Sequence, residues 1–320
     1  MSKRKKISSS YDISMIETFN LGGYFQKVLI EGRSSSLPIV ICLHGGPGSP
    51  IPLSVGARGL FPFLTDNYIM VYWDQLGCGI NGRVKNVVYT IDLFVKMTLD
   101  LVNQIKNKYP NNKIYFLATS WGSILSILSL KENPKLVEGV LVWGQIVKDC
   151  FINKNSLDAL EKSKISKKKI NEIKKIDKQN FTSKQMKLVA TSLKKYTNAY
   201  VNKKSKNSSM MPLIFGLMSS PDYKFKDFLL ALKNDVTGNN DLFKEIINID
   251  VTKELSLVQI PYVILQGEND LIADSKMISD FVDKTNNGFL KLKCINDVGH
   301  LPDDLAMKEI VKELNLLTNN

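Results

Sequence analysis

The amino-acid sequence contains three residues whose types and order suit nucleophilic catalysis. Ser120 follows the apolar run Lys113–Ala118 and precedes a helical pattern, the context in which a sharp turn presents a serine at a helix N-terminus. Asp270 and His300 each follow a later apolar run. A nucleophilic serine needs a base, and the base needs a group that orients it. The chain order serine, aspartate, histidine therefore predicts a catalytic triad at the carboxyl edge of one parallel sheet.

Each of the three residues also has a plainer interpretation. Ser120 could cap the helix that follows it, Asp270 could lie in a surface turn, and His300 could cap a helix. Ala118 stands where the G-x-S-x-G pattern has its first glycine, and this departure weakens the serine motif. Three independent placements in one order favour the catalytic interpretation over coincidence.

A glycine-rich loop, His44-Gly45-Gly46-Pro47-Gly48, directly follows the apolar run Leu37–Leu43. Glycines let backbone N–H groups approach a substrate because no Cβ stands in the way, so this loop suits the rim of an oxyanion hole. A tight turn after a strand would also use glycine and proline. The interpretation of the loop therefore depends on the serine, aspartate and histidine described above.

Histidine and cysteine are scarce in this chain. His44 and His300 are its two histidines, which excludes a three-histidine zinc site. The four cysteines are far apart and form no C-x-x-C pair: Cys42, Cys78, Cys150 and Cys294. We therefore predict no metal, no cofactor, and cysteines that are reduced and mostly structural.

Seven short apolar runs rich in β-branched and aromatic residues recur along the chain: Tyr24–Ile30, Leu37–Leu43, Tyr68–Trp73, Lys113–Ala118, Val137–Trp143, Tyr262–Gln266 and Phe289–Cys294. Most are continuously apolar, which is typical of strands buried on both faces. Helical patterns separate several of them, among them Ile91–Lys108, whose apolar stripe only Thr98 breaks, and Ile124–Leu130. This alternation predicts an α/β fold with a mostly parallel, doubly wound sheet.

The alternation stops near residue 148 and resumes near residue 260, so we predict a mainly helical insertion over one end of the sheet. The predicted division is a core of residues 1–147 and 251–320 and an insertion of residues 148–250. The insertion contains two helical patches, a flexible loop and a looser stretch: 157–176, 183–196, 203–209 and 208–222.

Positive charge is concentrated in the insertion. Residues 151–206 contain sixteen lysines, no arginine and four acidic residues, and so account for the whole formal charge of +12. Such a surface could attract acidic substrates, an anionic membrane or nucleic acid. A solvated lysine-rich helical surface is the favoured interpretation, because nucleic-acid sites usually mix in arginine and stacking aromatic residues. We therefore expect no nucleic-acid partner.

The N-terminus is basic at residues 3–6 but lacks the apolar core of a signal peptide. No stretch approaches the roughly 18 uninterrupted apolar residues that a membrane helix needs. These features predict a frayed N-terminus, a cytoplasmic location and no integral membrane segment.

Together the motifs resemble the α/β-hydrolase superfamily, and specifically its proline iminopeptidase-like branch. The loop His44–Gly48 matches the H-G-G-P-G of that branch, and Ser120–Ser123 matches its S-W-G-S. The segment Tyr72–Gln75 with Gly77–Gly79 resembles its D-Q-R-G-C-G-R-S. The similarity runs from about residue 20 to the C-terminus, apart from the insertion.

The resemblance implies an α/β-hydrolase fold in which the N–H groups of Gly46 and Trp121 form the oxyanion hole. It also implies that the insertion is the helical cap of the family. Loop-shaping roles fall to six residues of the glycine-rich segments: His44, Gly45, Pro47, Gly48, Asp74 and Gln75. His44 is not expected to be catalytic, because the logic of the triad needs only one imidazole.

The sequence departs from that branch in two ways. Leu76, Ile80 and Asn81 stand where D-Q-R-G-C-G-R-S has arginine, arginine and serine. True iminopeptidases hold the free amino group of the substrate with cap glutamates near a tryptophan-rich motif, but no tryptophan follows Gly144. Three acids of the insertion do not align with those glutamates: Glu172, Asp235 and Glu245. We therefore expect a free α-amino group to matter less here than in a true iminopeptidase.

The predicted reaction is two-step acyl transfer through an acyl-enzyme on Ser120, followed by hydrolysis. The leading substrate class is a small amide or short peptide, as for an aminopeptidase of the proline iminopeptidase-like type. The alternative within enzymes is a carboxylesterase or lactonase that acts on small esters. A non-catalytic hydrolase-fold binding protein is the rival class, and the intact serine, aspartate and histidine argue against it. A peripheral membrane or nucleic-acid binder is a third interpretation, and the oligomeric state is not predicted.

Overall fold

One eight-stranded sheet forms the centre of the protein. The computed structural model describes residues 3–201, 211–234 and 236–319. In chain order the strands are β1 (Ile13–Leu21), β2 (Tyr24–Gly32), β3 (Ile39–Leu43), β4 (Ile69–Trp73), β5 (Ile114–Thr119), β6 (Gly139–Trp143), β7 (Tyr262–Gly267) and β8 (Leu290–Ile295). In space they lie in the order β1-β2-β4-β3-β5-β6-β7-β8. The pairs β1–β2 and β2–β4 are antiparallel and all others are parallel, so the predicted fold class is confirmed.

Helices connect and cover these strands. Within the described residues they are α1 (Lys3–Ser8), α2 (Pro62–Thr65), α3 (Ile91–Lys108), α4 (Trp121–Glu132), α5 (Lys154–Glu161), α6 (Lys167–Lys174), α7 (Ser183–Tyr196), α8 (Met211–Met218), α9 (Phe225–Leu232), α10 (Asn240–Ile247), α11 (Thr252–Ser256), α12 (Ser275–Thr285) and α13 (Asp304–Asn319). None of these helices is both long enough and apolar enough to cross a membrane.

The central strands are buried on both faces, which explains why their sequences are continuously apolar. In β3 all five residues are fully buried. Ile39, Ile41 and Leu43 join the core on one face of the sheet, together with residues of α3 and α4. Val40 and Cys42 join the core on the other face, together with residues of α13. Because side chains alternate along a strand, one apolar run supplies both cores.

The helix predicted over residues 91–108 is confirmed at both ends. It begins after Thr90, whose hydroxyl oxygen accepts a hydrogen bond from the Leu93 N–H at 3.1 Å. Thr98, the polar break in its apolar stripe, is fully buried. Its hydroxyl donates to the Phe94 carbonyl at 2.8 Å, so the polar group is satisfied inside the core.

The first part of the chain contains one feature that the sequence analysis got wrong and one that it missed. The N-terminus is not frayed over residues 3–8, which form α1. Arg4 of this helix donates hydrogen bonds to the carbonyls of Arg58 and Gly56, each at 2.7 Å, and so attaches the helix to the body of the protein. The edge strand β1 was not predicted at all, because several of its residues face solvent and interrupt the apolar pattern.

The helical patches of the insertion are confirmed in part. The patch predicted over 183–196 is α7, with both ends as expected. The single patch predicted over 157–176 is divided between α5 and α6. The stretch 208–222, predicted to be looser, contains the helix α8. The predicted loop at 203–209 lies outside the described residues.

The two ends of the segment between β6 and β7 lie side by side. The Val251 N–H donates to the Val147 carbonyl at 3.0 Å. The next pair, Lys148 and Asp250, forms an isolated β-bridge, and their side chains are 3.8 Å apart. This closure lies at the ends of the segment that the sequence marks as an insertion, although the division at residues 148 and 250 stays a prediction.

Candidate active site

The structure brings Ser120, Asp270 and His300 together in one hydrogen-bonded series. Ser120 follows β5, Asp270 lies in the loop after β7, and His300 lies in the loop after β8. The Nε2 atom of His300 is 2.8 Å from the Ser120 hydroxyl oxygen, and its Nδ1 atom is 2.7 Å from an Asp270 carboxylate oxygen. In this arrangement an imidazole can accept the hydroxyl proton while the carboxylate fixes its tautomer.

The Asp270 carboxylate accepts four hydrogen bonds. One oxygen accepts hydrogen bonds from the N–H groups of Ile272 and Ala273 at 2.8 and 3.0 Å. The other accepts from the Gln266 amide at 2.9 Å as well as from His300. Asp270 is fully buried, so it does not lie in a surface turn. The donors compensate the burial of its charge and fix its orientation.

The backbone of Ser120 is forced into an unusual conformation at the elbow between β5 and α4. Its φ and ψ are 50° and −115°, and its side chain makes no capping bond to α4. Its N–H donates to the Trp143 carbonyl at 2.9 Å. A Cβ atom at Gly122 would lie 1.9 Å from the Leu43 carbonyl oxygen, so only glycine fits there. Ala118, the departure from the motif, is accommodated within β5 between β3 and β6.

The glycine-rich loop after β3 lies directly against the elbow. A Cβ atom at Gly45 would be 3.4 Å from the Ser120 Cβ. Gly46 has a φ of +123°, and a Cβ there would lie 2.6 Å from the Ser49 nitrogen. Trp121 is the first residue of α4, and an N–H at that position has no acceptor within its own helix. The loop and the helix start therefore meet beside the serine, as an oxyanion hole requires.

His44 takes part in the architecture of this loop. Its Nδ1 is 2.8 Å from the Gly45 carbonyl, and its Nε2 accepts a hydrogen bond from the Gln75 N–H at 3.0 Å. Burial lowers the pKa of His44 to about 4, so the imidazole is neutral at pH 7. The Gln75 side chain donates to the His44 carbonyl at 3.3 Å and accepts from the Trp121 indole N–H at 2.9 Å. Gln75 thus connects the loop to the start of α4.

Asp74 connects the core to the segment that follows β6. One of its carboxylate oxygens accepts from the Val55 N–H at 2.9 Å, and the other accepts from the Ile80 N–H at 3.0 Å and from the Tyr223 hydroxyl. Burial raises the pKa of Asp74 to about 6 despite these three donors. The sequence indicated a loop-shaping residue here but not its contact with Tyr223.

Two further residues of the segment between β6 and β7 reach the site without any sequence motif to mark them. The Asn234 amide donates to the Gly48 carbonyl of the glycine-rich loop at 2.6 Å. The ring of Tyr200 stands edge-on to the His300 ring, with 6.0 Å between centroids. The backbone carbonyls of Ala199 and Tyr200 accept the N–H groups of His300 and Leu301 at 2.7 and 2.9 Å.

The four cysteines form no disulfide, and only Cys294 is exposed. Within residues 3–201, 211–234 and 236–319, no three histidine, cysteine, aspartate or glutamate side chains are grouped so that they could hold a metal ion.

Comparisons of the sequence and of the structure with known proteins agree on one family. A family model described as the alpha/beta hydrolase fold matches residues 38–302. A probable aminopeptidase, YbaC of Bacillus subtilis strain 168, is 22% identical over 288 residues, which cover 86% of this chain and 87% of that protein. A proline iminopeptidase of Heyndrickxia coagulans is 30% identical over 118 residues, which cover 37% of each chain. The crystal structure of the carboxylesterase CesB (YbfK) from Bacillus subtilis superimposes with a TM-score of 0.58 at 14% identity, over 99% of this chain and 95% of that one.

Gly122→Ala tests the steric constraint at the elbow. The added methyl group would meet the Leu43 carbonyl, which cannot move without distorting β3, so we expect the free energy of unfolding to fall by about 1–3 kcal/mol. Urea denaturation measures this change. Gly288→Ala is the matched control, because among the described residues no heavy atom beyond its two chain neighbours lies within 4 Å of its Cβ position. Equal effects of the two substitutions would contradict the steric argument.

The raised pKa of Asp74 gives its contribution to stability a definite pH dependence. The folded protein keeps the proton to about pH 6, whereas the unfolded chain releases it near pH 3.8. The stability that this proton contributes is therefore present below pH 4 and is lost as the pH rises through about 6. The advantage of the wild type over Asp74→Asn in unfolding free energy should shrink over this interval by up to about 3 kcal/mol.

Urea denaturation at several pH values between 4 and 7 measures that advantage. Tyr223→Phe serves as the companion variant, because it removes a hydroxyl donor that lowers the pKa of Asp74. In that variant the stability contributed by the Asp74 proton should be lost at a higher pH. If the difference in unfolding free energy between the wild type and Asp74→Asn instead grew in favour of the wild type as the pH rose, burial would not be what sets the pKa of Asp74.

Proposed function

The chain belongs to the α/β-hydrolase fold family, and we propose that it is a serine hydrolase that forms an acyl-enzyme on Ser120. The observation that carries the proposal is the hydrogen-bonded series from the Ser120 hydroxyl through the His300 imidazole to the buried Asp270 carboxylate. A helix cap or a surface turn would not need three such residues aligned at the ends of three parallel strands.

In the proposed reaction His300 removes the Ser120 proton as the hydroxyl oxygen attacks the substrate carbonyl carbon. The electron pair of the carbonyl moves to its oxygen, which receives hydrogen bonds from the N–H groups of Gly46 and Trp121. Asp270 stabilises the imidazolium that forms, and His300 then protonates the leaving group. Water attacks the acyl-enzyme by the same steps and releases the acid, which restores Ser120.

We propose residues 148–250 as a cap over this site. The closure of the segment at Lys148 and Asp250 supports the division. Tyr200 stands against His300, and Asn234 binds the Gly48 carbonyl of the proposed oxyanion loop. A segment with these contacts borders the reacting atoms, so its shape selects the substrate.

The leading substrate class is a small amide or peptide, in keeping with the name of the relative that aligns over most of the chain, a probable aminopeptidase. A carboxylesterase is the second candidate, because two of the acids considered for binding a substrate amine point elsewhere. The Glu245 carboxylate accepts the Ile91 N–H at 2.7 Å, at the start of α3, and Glu172 is exposed on α6. The third, Asp235, lies outside the described residues. A non-catalytic binding protein is the remaining alternative.

Ser120→Ala should abolish covalent labelling by a fluorophosphonate and reduce turnover of any substrate by at least about a thousandfold. The matched control is Ser129→Ala, since the Ser129 hydroxyl lies in α4, is buried, and has no hydrogen-bond partner among the described residues. Gel fluorescence of the labelled proteins measures the first effect, and steady-state rates measure the second. Labelling that persists in Ser120→Ala would contradict the proposed nucleophile, and an unlabelled wild type without turnover would favour the binding protein.

Glu245 already binds the Ile91 N–H and Glu172 is exposed on α6, so we expect neither to hold a substrate amine. Acetylation of that amine should therefore lower kcat/KM by less than about tenfold. Paired aminoacyl anilides with free and acetylated amines test this expectation, and short-chain nitrophenyl esters measure esterase activity in parallel. A loss of more than about a hundredfold on acetylation would contradict it. Such a loss would instead require a carboxylate that recognises the ammonium group.

A further inference from the structure

Helix α9 exposes an apolar stripe on its outer side. Phe225, Leu229 and Leu232 are 69%, 47% and 52% exposed, and they follow one another at helical spacings of four and three residues. On the adjoining side of the helix, Phe228 and Ala231 are buried. The helix therefore presents one apolar face to the protein and a second to solvent.

The exposed stripe continues onto helix α8. Phe215 and Met218 of α8 are 60% and 51% exposed. Met218 and Phe225 line one shallow hollow of about 90 Å³, so the two stripes meet. We call these five side chains the α8–α9 apolar face: Phe215, Met218, Phe225, Leu229 and Leu232. Contiguous exposed side chains of this size mark interaction sites more often than scattered ones do.

Positive charge surrounds the α8–α9 apolar face. Lys224, Lys226 and Lys233 are all exposed at the two ends of α9. The acidic residues nearest in sequence to Lys224 and Lys226 are turned toward arginines of the core: Asp222 lies 2.7 Å from Arg58, and Asp227 lies 3.0 Å from Arg83. These two acids therefore do not neutralise the neighbouring lysines, and the chain as a whole carries a formal charge of +12.

We propose that the α8–α9 apolar face docks onto the surface of an anionic lipid membrane. Apolar side chains on one side of a helix enter the boundary between headgroups and acyl chains, while flanking lysines bind anionic headgroups. A second copy of this chain suits the face less well, because a two-fold pair would bring the same lysines together. The described helices cannot cross a membrane, so the protein would lie on its surface.

Membrane docking does not depend on the proposed function, although the α8–α9 apolar face and the candidate active site are close in the chain. Two residues after α9 ends, Asn234 binds the Gly48 carbonyl of the glycine-rich loop. Docking through α9 would thus place the membrane close in sequence to a residue that contacts the candidate active site.

Co-sedimentation with vesicles tests the proposal, using the full chain and its Ser120→Ala variant alike. We expect binding to vesicles of phosphatidylglycerol mixed with phosphatidylcholine, little binding to phosphatidylcholine alone, and weaker binding at high salt. The double variant Phe225→Ser/Leu229→Ser removes apolar contact, and the triple variant Lys224→Glu/Lys226→Glu/Lys233→Glu reverses the flanking charge. Each should weaken binding by at least about tenfold.

Two matched controls separate this face from general charge and hydrophobicity. Lys164→Glu/Lys167→Glu/Lys168→Glu reverses three exposed lysines near α6. Phe25→Ser removes a phenylalanine that is 79% exposed on β2. Both should bind phosphatidylglycerol vesicles within about twofold of the wild type. Circular dichroism and melting temperature establish that each variant is folded, and the lysine variant carries the test if the apolar double variant is not.

Several results would overturn the proposal. The wild type could fail to bind phosphatidylglycerol vesicles, or the variants of the α8–α9 apolar face could bind as well as their controls. Equal weakening by both lysine triple variants would mean that diffuse charge alone causes binding. Light scattering that finds a dimer, converted to monomer by Phe225→Ser/Leu229→Ser, would assign the face to self-association instead.

Discussion

The close approach of α4 to the end of β3 is the constraint on which the site depends. The second residue of this helix touches the Leu43 carbonyl, and the contact leaves room for a hydrogen atom but not for a methyl group. Where the chain turns from β5 into α4 at this distance, Ser120 has a positive φ of 50°. The serine hydroxyl consequently projects beside the glycine-rich loop, within hydrogen-bond distance of His300.

Buried polar side chains fix that geometry from behind. Gln75 binds His44 and Trp121, so it sets the distance between the glycine-rich loop and the helix start. Gln266 plays a similar part on the other side, since it donates to Asp270 and to the Ala273 carbonyl. Neither glutamine is exposed to water. Breaking one of these bonds would leave a buried polar group unsatisfied, and this cost keeps the site in one arrangement.

The parts that the sequence predicts are those that local physics determines. A strand buried on both faces must be apolar throughout, so β3 to β7 are recognisable. The elbow needs a glycine two residues after Ser120, and Gly122 supplies it. The edge strand β1 lacks such a signature because part of it faces solvent. The bond from Asn234 to Gly48 joins residues 186 positions apart, and no local pattern specifies it. Contacts of this kind arise from how the segment after β6 packs on the core, which composition does not encode.

That packing also limits the chemistry of the substrate. Three acids of the segment attach it to the core: Asp222 and Asp227 pair with arginines, and Glu245 binds the N-terminus of α3. The many lysines of the segment repel a cationic substrate at longer range. In the hydrolase that we propose, this charge would disfavour a cationic substrate, so the shape of the space between the segment and the glycine-rich loop would carry more of the selection.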